Sequence, residues 1–289
     1  MKKIAITGAN GYLASLIQTI NHDDFDFIPV TRKDVDLANP EAVEDYFKTL
    51  EYDLVFHAAA RTQTADCEEN PLDTHKVNTE SAINIAKVCQ EKGARFIFLS
   101  TEQVFNNRTE VLPYTEETPV DSTSLYGQQK IEVENFLLEN QIDGVILRLS
   151  WMMGLSYPGI KSSPNIIKNV MKAMFYQKPT LFTVNECRGM TYAKNLAEQF
   201  DKIIDLPRGI YHFSSQNDLS TYNAAKQVAT ALGFDDLLID QYILPDQKRY
   251  ADRFRNLRLA TNKIEDHGIN ISTFEKDINE CLVDFGWLD

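Results

Sequence analysis

The chain has 289 residues, 43% of them apolar and 25% charged, and 42 acidic against 29 basic side chains give a formal net charge of −13. That length lies where a single hydrophobic core stops growing, so one or two lobes are expected. The acidic balance argues against a nucleic-acid or anionic-membrane surface, and no run approaches the roughly 18 apolar residues of a membrane span. The basic opening Met1-Lys2-Lys3 leads into Ile4-Ala5-Ile6, but Gly8 and Asn10 break the apolar run before a signal-peptide core forms. A cytoplasmic protein is expected. Cys67, Cys89, Cys187 and Cys281 are dispersed with no CxxC pair, which predicts buried, reduced thiols.

Short apolar runs alternate with helical periods through the first half. Strands are expected at Lys3–Thr7, Phe27–Thr31, Leu54–His57, Arg95–Ser100 and Gly144–Leu149. Between them, Leu13, Leu16, Ile17 and Ile20 recur at helical spacing, and Glu41–Leu50, Thr79–Lys92 and Tyr126–Leu138 also read as helices. After Ser150 a loop rich in Gly, Pro and Ser (Gly154–Pro164) precedes a helix at Ile166–Tyr176 and a late edge strand at Arg208–Phe213. Thr221–Leu232 and Thr273–Phe285 read as helices, the latter capped by Ser272. The fold class is therefore α/β: a Rossmann-type, doubly wound parallel sheet with a smaller C-terminal substrate-binding lobe. Residues 1–151 and about 188–215 are assigned to the nucleotide-binding domain, and 152–187 and 216–289 to the smaller lobe.

Gly8-Ala9-Asn10-Gly11-Tyr12-Leu13-Ala14 directly follows the first strand and opens the first helix. Gly8 permits the tight turn, Gly11 lets backbone approach a pyrophosphate, and Ala14 is small enough for helix–strand packing. The helix end supplies N–H groups and partial positive charge to the phosphates. An acidic residue near the end of the second strand would restrict such a site to NAD(H). Thr31-Arg32-Lys33 stands there instead, so NADP(H) is favoured, with NAD(H) as a second cofactor.

Tyr126 and Lys130, at i and i+4, project from one face of a helix. An ammonium beside the phenol is expected to lower the phenol's pKa from about 10 toward neutrality, making it a proton donor or acceptor. Thr101, at the end of the fourth strand, offers a hydroxyl to the same substrate oxygen.

With these motifs the chain resembles the extended short-chain dehydrogenase/reductases, and among them the dTDP-4-dehydrorhamnose reductases. The matching segments include Thr7–Gly11, Asp36-Leu37, His57-Ala58-Ala59-Ala60, Cys67–Pro71, Val77-Asn78, Leu99–Phe105, Pro113–Glu116, Tyr126–Lys130 and Arg148–Trp151. The resemblance implies a seven-stranded sheet, a nucleotide-sugar substrate and hydride transfer from a reduced nicotinamide. It implies cofactor contacts at Gly8, Asn10, Gly11, Tyr12, Leu13, Arg32, Asp36, Leu37, Ala58, Ala59, Ala60, Asn78, Tyr126 and Lys130. Thr62, Thr101, Glu102 and Trp151 become the expected substrate contacts, with Thr101 orienting a C4 carbonyl that Tyr126 protonates. His57 reads as a packed strand residue.

The chain departs from that pattern in three places. Glu102-Gln103 replaces Asp-Tyr. Leu16 occupies the place of a glutamate that holds magnesium in some members, so no metal is expected. Arg253-Phe254 and Leu257 replace an Arg-Pro and serine that usually touch substrate. A homodimer is one candidate assembly. The alternatives are an epimerase or dehydratase of the same superfamily, which regenerates its nucleotide each turnover, and a non-catalytic NADP-binding regulatory subunit.

Overall fold

The computed structural model describes residues 1–288. In chain order the first half comprises β1 (Lys2–Thr7), α1 (Tyr12–Ile20), β2 (Phe25–Val30), α2 (Pro40–Thr49), β3 (Leu54–His57), α3 (Thr64–Glu69), α4 (Pro71–His75), α5 (Ser81–Lys92), β4 (Arg95–Thr101), α6 (Leu125–Glu139) and β5 (Gly144–Leu149). Then come β6 (Trp151–Met153), α7 (Ile166–Phe175), β7 (Thr180–Thr183), β8 (Glu186–Arg188), β9 (Met190–Tyr192), α8 (Ala193–Ala197), α9 (Phe200–Asp205) and β10 (Gly209–Phe213). The chain finishes with α10 (Thr221–Ala231), α11 (Asp236–Tyr242), β11 (Ile243–Asp246), β12 (Arg255–Leu257), α12 (Asn262–Glu265) and α13 (Phe274–Asp284).

Local chemistry sets several boundaries. Asn39 caps α2 by accepting from the Ala42 N–H at 3.2 Å, with Pro40 preset for the first turn. Ser124 caps α6 in the same way, accepting from Gly127 N at 3.2 Å. The cap of α13 is Thr273, which accepts from Lys276 N at 3.3 Å, and not Ser272, whose hydroxyl turns to the Thr273 carbonyl. Between α4 and α5, Lys76–Glu80 form a π-helical turn, an inserted residue that the helical period did not reveal.

Six strands form the central sheet, in the order β10-β5-β4-β3-β1-β2, and the β1–β2, β1–β3 and β3–β4 pairs are parallel. Pro29 is tolerated because β2 is an edge strand, where a missing N–H breaks no ladder. The resemblance implied seven strands. Among the described residues the sheet has six, with β10 at one edge, and β6, immediately after β5, pairs with β9 in a separate two-stranded ladder.

The chain divides into two compact units: 1–107, 117–148 and 197–211 in the first, and 108–116, 149–196 and 212–289 in the second. The sequence boundaries put 108–116, 149–151, 188–196 and 212–215 in the nucleotide-binding part. They belong to the second unit because β6 pairs with β9, β8 pairs with β12, the Tyr114 N–H donates to Arg258 O at 2.9 Å, and Ser215 Oγ donates to Asp277. The first unit's core packs Val43 and Phe47 of α2 and Val133 of α6 against Val55, Phe96 and Phe98 of the sheet. The second unit closes around Ile166, Val170, Val228, Phe274 and Ile278. Among the described residues no helix is long and apolar enough to cross a membrane.

Gly144 opens β5 where a Cβ would sit 1.8 Å from the Phe96 carbonyl oxygen of β4. Gly144→Ala must therefore push the two strands apart. It is expected to lower stability by about 1–3 kcal/mol, read as a lower urea midpoint at unchanged slope. An unmoved midpoint would show that β4 and β5 are not held this closely.

Candidate active site

Thr7 of β1 lies in register with His57 of β3, and the chain leaves β1 toward β2 on one side and reaches β3 on the other. Such a reversal opens a crevice beyond the C-terminal strand ends. Gly8–Gly11 and Ala58–Ala60 follow those two ends directly. Gly8 has φ +63°, and a Cβ there would lie 2.9 Å from Ala59 Cα, so only glycine lets the two loops approach this closely. The turn closes through Gly11 N donating to Gly8 O at 2.7 Å. The Ala9 carbonyl is held by Ser15 Oγ at 3.1 Å and Gln18 Nε2 at 2.9 Å.

Gly11 N-caps α1 without a side-chain bond, and the first turn, with Tyr12 and Leu13, carries no acid. A bare helix end beside small residues fits an anion such as a pyrophosphate. Asn10 is exposed, Tyr12 buried and Leu13 half-buried. Thr7 Oγ1 ties the loops together, lying 3.0 Å from His57 Nδ1 and accepting from Ala59 N at 3.1 Å. Burial, with Lys130 adding, holds His57 down to about 3, so its ring is neutral and packed.

Arg32 and Lys33 are exposed beyond β2. Asp34, one residue further on, is turned back: its carboxylate accepts from Thr31 Oγ1 at 2.7 Å and Thr31 N at 2.8 Å, which holds it below the usual carboxylate range. Asp36 accepts from Ala38 N at 3.0 Å, forming a turn, and Leu37 packs on the core. Thr62 is exposed. Asn78 is fully buried on the π-helical turn. Its amide brackets the Arg61 backbone, accepting from N at 2.7 Å and donating to O at 3.0 Å, and it donates to Gln129 Oε1 at 2.7 Å. Its side chain therefore fixes the 58–61 loop.

Thr101 ends β4, and Tyr126 and Lys130 face it from α6. A Cβ on Gly127 would meet the Gln103 carbonyl oxygen at 2.6 Å, so glycine lets the start of α6 abut the 3₁₀ turn Glu102–Phe105. Thr101 hydrogen-bonds the Tyr126 phenol. Lys130 Nζ donates to Leu99 O at 2.8 Å, sits 4.4 Å above the Phe98 ring and lies 5.9 Å from the Tyr126 ring centroid. Burial brings the Lys130 pKa down to about 7, against the pull of Glu134.

The phenol behaves opposite to the expectation. Burial, then the neighbouring Glu102 charge, push Tyr126 above its ordinary value, and the Thr101 bond only partly opposes them. Lys130 Nζ donates to the Leu99 carbonyl and not to the phenol oxygen. The site therefore holds a neutral phenol beside a hydroxyl and a lysine that burial brings down to about 7.

Trp151 lies in the second unit, half-buried, with the Arg188 guanidinium 5.1 Å from its ring centroid. In that unit Glu186 binds Arg255 at 2.8 Å, and Arg255 stacks 4.1 Å from the Tyr250 ring. Neither arginine was anticipated. The β8–β12 register pairs Glu186 with Arg255 across 69 residues, and no local spacing signals that contact.

The mouse methionine adenosyltransferase 2 subunit beta is 25% identical over 299 residues, covering 98% of this chain and 88% of that protein. The dTDP-4-dehydrorhamnose reductase of Sinorhizobium fredii (strain NBRC 101917 / NGR234) is 26% identical over 300 residues, covering 97% and 96%. The crystal structure of dTDP-4-dehydrorhamnose reductase from Bacillus anthracis str. Ames in complex with NADP superposes with a TM-score of 0.84 at 22% identity, covering 98% of both chains, and so shares the fold. Residues 1–286 match the RmlD substrate binding domain family model, and the chain belongs to that family.

Proposed function

We propose that this chain is a cytoplasmic, NADPH-dependent reductase of a 4-keto nucleotide sugar, akin to dTDP-4-dehydrorhamnose reductases, and that it accepts NADH less well. The observation that carries the reading is the meeting of Thr101, Tyr126 and Lys130 past the end of β4, on the same sheet edge as the glycine turn. The Gly8–Gly11 turn, the start of α1 and Ala58–Ala60 hold the pyrophosphate. Arg32 meets the 2′-phosphate, while Asp34, engaged by Thr31, does not oppose it. Bound there, the reduced nicotinamide supplies the hydride.

Tyr126 gives its phenolic proton to the carbonyl oxygen as negative charge builds there. Thr101 donates a second hydrogen bond to that oxygen, and Lys130 holds the ribose. A phenol kept neutral by burial suits this direction, because its proton is present at working pH and is released only to the more basic alkoxide. Kinship with a methionine adenosyltransferase subunit makes a non-catalytic regulator the alternative. The Thr101–Tyr126 hydrogen bond, with Lys130 Nζ 5.9 Å from the Tyr126 ring centroid, favours the enzyme.

Tyr126→Phe keeps the ring but removes the transferable proton. It is expected to lower kcat on the order of 10²-fold or more in stopped-flow NADPH oxidation with dTDP-4-dehydrorhamnose, with NADPH affinity nearly unchanged. A wild-type rate in the variant, with chemistry limiting, would remove Tyr126 from the mechanism. Arg32→Ala is expected to weaken NADPH on the order of tenfold while leaving NADH affinity unaltered in calorimetric titration. Equal loss for both nucleotides would dissociate Arg32 from the 2′-phosphate.

A further inference from the structure

One turn after Lys130 on α6 stands Glu134, and both are about 2% exposed. Its carboxylate is clamped from two strands. Arg148 of β5 donates through Nε to Oε1 at 3.0 Å and through Nη2 to Oε2 at 2.6 Å, and the Ser100 hydroxyl of β4 donates to Oε1. Ser100 is the residue after Leu99, whose carbonyl receives Lys130 Nζ. Two consecutive residues of β4 therefore take the two successive inward groups of α6, Lys130 on one and Glu134 on the next.

The charges do not balance within the Arg148–Glu134 pair alone, because Lys130, one helical turn before Glu134 on the same helix, adds a second buried cation whose charged form that carboxylate favours. The other groups near the lysine bring no fixed negative charge to its ammonium. His57 of β3 is neutral, Tyr126 is a neutral phenol, and the Cys67 thiol of α3 is pushed above its ordinary value by burial. Glu102, after β4, acts on Tyr126.

We propose that Glu134 is a positioning residue for the reduction: clamped by Arg148 and Ser100, it keeps the Lys130 ammonium charged and directed at the end of β4. This rests on the reductase reading for its consequence in turnover, but its effect on Lys130 is measurable without turnover. Burial, the larger effect, favours the neutral amine, and the carboxylate one turn away opposes it by favouring the ammonium. Activity that needs the ammonium is fully present below the Lys130 pKa and is lost as pH rises through it. In Glu134→Gln the amide oxygen remains an acceptor for Arg148 Nε and Ser100 while the bond from Arg148 Nη2 is lost; the charge is gone, and the loss begins at lower pH.

The test is the titration of the Lys130 side chain by NMR in protein labelled with ¹³C at the lysine ε carbon, its signal identified by its absence in Lys130→Met. Glu134→Gln should move the Lys130 midpoint down by about one unit or more, and the falling limb of kcat/KM for NADPH oxidation with dTDP-4-dehydrorhamnose should move with it. Because removing one partner of a buried pair risks unfolding, Glu134→Gln/Arg148→Gln, which removes both charges, is the second variant, and it should shift the midpoint in the same direction. A Lys130 midpoint unmoved in both variants overturns the proposal. So does a shifted midpoint beside an unshifted rate profile, since a purely structural carboxylate would lower stability and rate without moving the limb. A wild-type chain that oxidises no NADPH sinks the reductase reading instead, and the NMR midpoint still decides for or against Glu134.

Discussion

The Arg148–Glu134 pair is the constraint on which the site depends. Both side chains are almost wholly withdrawn from water, so neither charge can be left alone; breaking such a pair typically costs about 3–5 kcal/mol. The pair joins the middle of α6 to β5, and Ser100 joins the same carboxylate to β4. With α6 pinned to two neighbouring strands, its rotation and height are fixed. Tyr126, two turns earlier on the same helix, must then arrive beside Thr101. Glycine at position 127 removes the one side chain that would hold the helix start off the Gln103 carbonyl.

The second determinant is exclusion of water. The same burial that keeps the Tyr126 phenol protonated draws Lys130 toward neutrality and leaves His57 uncharged. Each of the three groups is moved toward, or held in, its neutral form by a common cause. The result favours proton donation by the phenol over abstraction. The neutral imidazole, through Thr7, steadies the Ala59 amide against the glycine turn.

Features that depend on local spacing were legible in the sequence. The strand–glycine–helix order, the i, i+4 Tyr126/Lys130 pair, the hydroxyl at the end of β4 and the edge position of β10 all follow from period and punctuation. What escaped required contact or environment. The π-helical turn at Lys76–Glu80 places Asn78 against the Arg61 backbone, and an inserted residue leaves no trace in an apolar period. Glu134 sits four residues beyond Lys130, yet its partners lie on two other strands. The direction of the Tyr126 shift escaped the sequence because burial and the Glu102 charge, which push the phenol up, belong to the folded environment and not to the i, i+4 spacing. The domain boundaries moved for a related reason: ladders such as β6–β9 and β8–β12 join segments distant in sequence.

The origin of the two hydrogens of the product distinguishes a reductase from the alternatives most directly. NADPH deuterated at both C4 positions, incubated with the protein and dTDP-4-dehydrorhamnose in ordinary water, should yield a reduced sugar with one deuterium on the former carbonyl carbon. The hydroxyl proton should come from solvent by way of Tyr126, and one NADPH should be consumed per product by mass spectrometry and absorbance. A product without deuterium, or turnover that leaves the NADPH unconsumed, would contradict it.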